Sequence, residues 1–185
     1  MSVALLLIDL QNDYFPMGKM ELQGSPEAVE TAGRLLDFFR QRGLPVVHVQ
    51  HLSTRAGATF FIPGTRGVEI HARVQPQAGE PVIQKHFPNS FRETDLLARL
   101  QEMGIRRLVI AGMMTHMCVD ATTRAAVDLG FTCQIVQDGC ATRNLKLDGQ
   151  EVQASDVHTA FLAALNGTYG RVLAADAAMA ELAQG

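Results

Sequence analysis

The chain has 185 residues, a length that fits one domain with room for a sizeable core. Hydrophobic residues make up 47%, which excludes a disordered chain, and a net charge of -3 gives no electrostatic footing for nucleic acid or an anionic membrane surface. Three cysteines, Cys118, Cys133 and Cys140, make neither a CxxC pair nor an even disulfide set, so a reducing, cytoplasmic compartment is expected.

Val3 to Ile8 is a continuous apolar run ending in Asp9, which predicts a buried parallel strand. The run is short and no basic residue precedes it, so no targeting segment is expected. No stretch approaches the roughly 20 apolar residues of a membrane span. A polar-aromatic loop follows and leads to Gly24. Ser25-Pro26-Glu27 predicts a helix start, with serine at the N-cap, proline at the first helical position and an acid in the first turn. That helix runs to about Arg42 and stops at Gly43. Pro45 to Gln50 reads as a second strand. Residues His51 to Gly79 show no sustained period, and so long a loop in a compact domain is usually functional. Pro81 to Lys85 is a short third strand. Thr94 or Asp95 opens a helix with Leu96, Leu97, Leu100 and Met103 on one face, closed by Gly104. Arg107 to Ala111 is the fourth strand, Val119 to Gly130 a helix, and Thr132 to Gln137 the fifth strand. Gln150 to Leu165 reads as a helix, Tyr169 to Leu173 as the sixth strand, and Asp176 to Leu182 as a final helix. Strands alternate with helices throughout. The pattern predicts an α/β fold, three layers α/β/α around a six-stranded, mainly parallel, Rossmann-like sheet, as a single domain over 1–185.

In an open parallel sheet, ligands bind outside the C-terminal ends of the strands. Asp9 ends strand one, Lys85 ends strand three, and Cys118 follows strand four in Gly112-Met113-Met114-Thr115-His116-Met117-Cys118. A carboxylate, a cation and a thiol make a complete nucleophilic set. Asp9 can take the thiol proton and return it to a leaving group. Cys118 can attack a carbonyl carbon and form a thioester. The helix N-terminus and the Lys85 charge are expected to favour its thiolate. Each residue also has a plainer reading, as a turn residue, a solvated charge and a small buried hydrophobe.

Three segments stand in this order along the chain: Leu7-Ile8-Asp9-Leu10-Gln11-Asn12-Asp13-Tyr14-Phe15, Val82-Ile83-Gln84-Lys85-His86, and Gly112 to Val119. Together they resemble the isochorismatase-like cysteine hydrolases, the superfamily of nicotinamidase, N-carbamoylsarcosine amidase and isochorismatase. The resemblance covers nearly the whole chain and implies the isochorismatase-type hydrolase fold. It implies that Asp9, Lys85 and Cys118 are the catalytic triad, and that the Met113–Met114 peptide is cis. It further implies an oxyanion hole made by the backbone N–H groups of Met114 and Cys118. A homo-oligomer, dimer or tetramer, is expected on the same ground.

Nicotinamidases of this superfamily hold a divalent metal through an Asp-x-His pair after the second strand and a further histidine. Here the corresponding stretch, Val46 to Ser53, has histidines but no acid. His48, His51 and His71 are the remaining candidates, yet His48 and His51 stand at odd spacing in or beside a strand and face opposite ways. No metal and no other cofactor is therefore expected. Retention of Cys118 favours hydrolysis of the C–N bond of a small amide or ureido (carbamoyl) substrate. Vinyl ether hydrolysis of the isochorismatase type is the alternative, and a non-catalytic binding protein of the same fold a further one.

Phe15, Phe60, Phe61, Phe87 and Phe91 fall in loops near the strand ends, where they can line an apolar slot or anchor the loops. Gln11 can bond the substrate or brace Asp9, and His116 can face the substrate or a partner strand. The candidate pocket is thus Gln11, Phe15, Phe61, Phe87, Phe91 and His116. Arg55, Arg66 and Arg73 in the long loop are solvated charges or meet a substrate carboxylate. Asp138 reads as a turn cap, Cys133 as core, Cys140 as a loop residue and His158 as a packed helix residue.

Overall fold

The computed structural model describes residues 2–184; Met1 and Gly185, counted in the expected 1–185 domain, lie outside the described residues. Strand β1 (Val3–Ile8) is buried along its whole length because it carries apolar side chains on both faces. Val3, Leu5 and Leu7 enter one core cluster, while Ala4, Leu6 and Ile8 enter the other. That alternation is what a period of two produces in a strand covered on both sides.

The remaining sheet strands are β2 (Val46–His51), β3 (Val82–Lys85), β4 (Arg107–Met113), β5 (Thr132–Ala141) and, after a hairpin described below, β8 (Arg171–Leu173). Their order in the sheet is β3-β2-β1-β4-β5-β8, and every neighbouring pair is parallel. The order reverses direction at β1, which makes the β1–β4 boundary the switch point where α/β sheets open a crevice. Helix α1 (Ser25–Gln41) covers one face with Ala28, Val29, Ala32, Leu35, Leu36 and Phe39, joined by α5 (Ala175–Ala183). Helices α2 (Leu96–Glu102), α3 (Asp120–Asp128) and α4 (Ala154–Leu165) lie on the other, with Leu96, Leu100, Ala126, Leu162 and Leu165 in that core. The result is the three-layer α/β/α fold. Among the described residues no helix is long and apolar enough to cross a membrane.

Several local expectations are corrected. Ser25 does not cap α1: Gly24, at φ 75°, holds the N-cap position, and the Ser25 hydroxyl is buried with no partner among the described residues. Strand β2 runs one residue past Gln50 to include His51. Strand β5 does not end at Gln137. It shifts register between the Ile110–Ile135 and Gly112–Cys140 pairs and continues to Ala141, which places Cys140 in the sheet rather than in a loop. Residues 150–152 are not helical. They form β7 (Gln150–Val152), antiparallel to β6 (Leu145–Leu147). The signal was present as Asp148-Gly149, both at positive φ (49° and 79°), the dipeptide that a tight hairpin turn requires. Helix α4 starts only at Ala154, whose N–H donates to Asn144 Oδ1 at 2.8 Å.

Candidate active site

The C-terminal ends of four adjacent strands supply the site in the order in which they lie in the sheet. Lys85 ends β3, His51 ends β2, Asp9 follows β1, and Cys118 follows β4. His51 and Lys85 are register partners. Asp9 leaves its strand in the left-handed region, at φ 53°, with its N–H donating to Val49 O at 3.0 Å. This conformation is uncommon for a residue with a side chain, though aspartate is one that tolerates it.

Gly112 sets the approach of β4 to β1. Its φ is 145°, and a Cβ there would lie 2.1 Å from the Ile8 carbonyl oxygen, so only glycine fits beside the residue preceding Asp9. The next peptide, Met113–Met114, is cis. The chain then enters a π-type turn, Thr115–Val119, before α3; the Val119 N–H reaches back to Met114 O at 3.2 Å. Cys118 therefore sits on a wide turn ahead of the α-helix, not in its first regular turn. Thr115 pins that turn to the sheet by donating to Ala141 O at 3.2 Å.

Asp9 and Lys85 are fully buried, and Cys118 nearly so. Lys85 Nζ donates to Asp9 Oδ2 at 2.7 Å, to His51 Nδ1 at 3.0 Å and to Phe87 O at 3.2 Å. A carboxylate oxygen of Asp9, a ring nitrogen of His51 and the Cys118 sulfur all lie within 4.8 Å of one another. The sulfur is 4.0 Å from His51 Nδ1. Asp9 Oδ1 is buried and has no hydrogen-bond partner among the described residues.

Burial works against the Asp9 carboxylate, but the Lys85 ammonium, with His51 beside it, outweighs burial and holds this carboxyl below the usual range. Burial likewise works against the Lys85 ammonium, and the Asp9 charge reverses that, raising its pKa. For Cys118 burial and the Asp9 charge push the same way, and Lys85 only partly opposes them. Its thiol is raised well above the ordinary value. This direction runs against the expected thiolate stabilised by dipole and lysine, and it favours a buried ion pair beside a thiol that gives up its proton as the sulfur reacts.

Cys118 lies in the wall of a cleft of about 320 Å³ lined also by Tyr14, His51, Arg55, Phe60, Phe87 and Met114. Of the six pocket candidates, Phe87 stands in this wall, and the other five are placed elsewhere. Gln11 is fully buried and bonded to main chain, as described below. Phe15 packs on the His71 ring, 4.2 Å between centroids. Phe61 is a core residue behind His51, with centroids 5.8 Å apart. Phe91 stacks on Phe131 in the other core. His116 bonds the Thr142 hydroxyl and packs against Phe161. Each is drawn away because its loop must bury an apolar or bonded side chain. Among the three loop arginines, Arg55 is at the cleft, while Arg73 is paired with Glu30 and Asp37.

Among the described residues His48, His51 and His71 are not brought together. His48 points to the opposite side of β2 and bonds Glu80 Oε2 at 2.9 Å. His71 Nδ1 accepts the Arg73 N–H at 3.2 Å. His51 Nδ1 faces the Lys85 ammonium, a position that a cation already fills. His51 is the site residue that the sequence suggests only as a metal ligand, not as a neighbour of the triad. Its place in the same rank as Asp9 and Lys85, one residue past the expected end of strand two, was the available signal.

The isochorismatase domain profile matches residues 3–177. The chain belongs to the isochorismatase family. Over 177 residues it is 53% identical to the isochorismatase family protein YddQ of Bacillus subtilis (strain 168), covering 96% of this chain and 98% of that one. It is 30% identical to the maleamate amidohydrolase of Pseudomonas putida, over 97% of this chain and 86% of that one. The crystal structure of an isochorismatase hydrolase from Oleispira antarctica superposes with a TM-score of 0.93 at 50% identity, covering 97% of this chain and 96% of that one. As a member of this family the protein is a hydrolase with the isochorismatase-like fold.

Proposed function

We propose that the protein cleaves the C–N bond of a small amide or ureido substrate through a thioester on Cys118. The observation that carries this reading is the unpartnered Asp9 Oδ1, a buried acceptor in the same cluster as the thiol, while Oδ2 is held by Lys85. A buried carboxylate oxygen without a donor is costly, and a thiol proton is what it lacks. The maleamate amidohydrolase relative supports amide chemistry.

In this reading Asp9 takes the Cys118 proton as the sulfur attacks the carbonyl carbon. The N–H groups of Met114 and Cys118 receive the developing oxyanion, where one donor is worth about 10²–10³ in rate. Asp9 returns the proton to the leaving nitrogen, and the C–N bond breaks. Water then attacks the thioester; Asp9 takes its proton and passes it to the departing sulfur. Lys85 holds Asp9 in place and keeps it anionic between transfers. The reading includes a homo-oligomer in a cytoplasmic, reducing compartment, supported by exposed Met17, Leu129 and Leu147 and by three free cysteines.

The test is a screen of small amides, carbamoyl compounds and isochorismate against the wild type and Cys118→Ala, with acid-quench mass spectrometry. Ammonia or amine release and an acyl adduct on Cys118, both lost in the variant, are the expected result. Pyruvate release from isochorismate with all amides inert would favour vinyl ether hydrolysis instead.

A further inference from the structure

The three N–H bonds of the Lys85 ammonium are all committed, to Asp9 Oδ2, His51 Nδ1 and Phe87 O, and the side chain is fully buried. Lys85 therefore has no donor left for a substrate. An ammonium has no acceptor capacity, so His51 Nδ1 must be the acceptor in their 3.0 Å contact. A neutral imidazole that accepts at Nδ1 carries its proton at Nε2. The backbone of His51 is equally fixed. Gln11 Oε1 accepts its N–H at 2.7 Å, and Gln11 Nε2 donates to its carbonyl at 2.9 Å. Phe61 packs behind the ring. His51 lines the cleft next to Cys118, and its Nε2 has no hydrogen-bond partner among the described residues, nor is it sealed off as a buried orphan.

We infer that His51 is a specificity-determining residue: Lys85 locks it as the Nε2–H tautomer, and that N–H selects substrates carrying a second hydrogen-bond acceptor beside the scissile carbonyl. The inference rests on the amide-hydrolase reading for its kinetic arm. The scissile carbonyl itself is assigned to the N–H groups of Met114 and Cys118, so the His51 donor serves a different atom. It is pre-set at no cost at the moment of binding, since Lys85 holds the ring and Gln11 holds the backbone that carries it. A carboxylate, a carbonyl or an aromatic ring nitrogen shares the required chemistry.

Two near-isosteric substitutions separate the two ends of the ring. His51→Asn keeps an acceptor where Nδ1 meets Lys85 but removes the distal donor. His51→Gln keeps a donor near Nε2 but removes the Nδ1 acceptor. Kinetics are read on nicotinamide against benzamide, which differ by one ring nitrogen, and on maleamate against (Z)-crotonamide, which differ by a carboxylate in place of a methyl. The wild type is expected to prefer the acceptor-bearing member by about five- to ten-fold or more in kcat/KM, the range of one neutral hydrogen bond. His51→Asn should lose that preference through KM, while His51→Gln should retain it despite a lower kcat. Retention of the preference in His51→Asn overturns the inference, because a residue that merely braces Lys85 would give that result. Independently of turnover, ¹⁵N NMR at neutral pH should show His51 protonated at Nε2 alone, and its signal should shift on adding nicotinamide. If no amide is hydrolysed, the hydrolase reading fails while the NMR arm stands. A proton on Nδ1, or no shift with any of the four compounds, overturns the His51 inference itself.

Discussion

Gln11 holds the His51 peptide by both of its polar groups: its carbonyl oxygen takes the N–H at 2.7 Å, and its amide nitrogen gives to the C=O at 2.9 Å. The same amide nitrogen also donates to Val68 O at 2.8 Å. A fully buried side chain thus substitutes for a missing strand neighbour at the end of β2. Gln11→Ala strands these main-chain groups away from water. A buried group left without its partner costs about 1–3 kcal/mol, so a loss of about 2–4 kcal/mol is expected in total. Urea unfolding measures it as a lower midpoint at unchanged slope. Activity should fall more than stability at low denaturant, because His51 loses its fixed position beside Cys118.

The Asp9–Lys85 pair has no water to share its charge, both side chains being fully buried at 2.7 Å. Removing one partner of such a pair costs about 3–5 kcal/mol. Lys85→Met is expected to lose that much at neutral pH and to lose turnover, since an unpaired buried carboxyl picks up a proton and ceases to be a base. The sign of the pH response separates the two proteins. In the wild type the folded pKa of Asp9 lies below its ordinary 3.8. The pair therefore stabilises the fold above that value, and the contribution disappears as pH falls through the lowered folded pKa. In Lys85→Met the largest opposing charge is gone, and burial prevails over the remaining His51 and Cys118 contacts to raise the folded pKa, so stability at pH 5 should exceed that at pH 7. Denaturant midpoints measured from pH 4 to 8 check this; parallel curves for the two proteins would refute the assignment of the pair.

The charges around the thiol run against a resting thiolate. Burial and the Asp9 charge push Cys118 well above its ordinary pKa, and burial pushes Cys133 and Cys140 up to about 12. Iodoacetamide should therefore react slowly with all three at pH 7, the rate at Cys118 rising steeply on the alkaline side. Turnover should show no limb from thiol ionisation across pH 6–9, because Asp9 removes the proton only as the sulfur attacks. Mass-resolved alkylation and a kcat/KM profile check both. Rapid stoichiometric labelling of Cys118 at pH 6 would mean a preformed thiolate.

Much of this arrangement was legible because it depends on period and position along strands. The apolar run before Asp9, the short strand before Lys85 and the apolar strand before Gly112 each end at the same edge of the sheet. What escaped notice depends on tertiary neighbours. His51 belongs to the cluster because β2 continues one residue beyond its apolar stretch to pair with Lys85, a matter of register and not of local composition. Five pocket candidates, Phe61 and Gln11 among them, stand in the correct loops yet turn inward, since the loops need a core and bonded backbone of their own. The raised thiol pKa follows from full burial against a carboxylate, which no helix-terminus argument reveals.

Gly112 carries the sharpest steric prediction. A Cβ there would lie 2.1 Å from Ile8 O and 2.7 Å from Ile8 N, both backbone atoms that no rotamer change can move. Its φ of 145° is also a region that other residues rarely adopt. Gly112→Ala must therefore part β4 from β1 at the pair that positions both Asp9 and the Met113–Met114 corner. The expected loss is more than about 4 kcal/mol, the range reserved for backbone strain and broken core packing. Gly139→Ala is the internal control. There the added Cβ meets the Ala111 Cβ at 3.0 Å, a side-chain contact on the other side of β4, and a far smaller loss is expected. Soluble yield and thermal midpoints of the two variants decide it; a Gly112→Ala protein that melts near the wild type would show that β4 can shift away from β1 without loss.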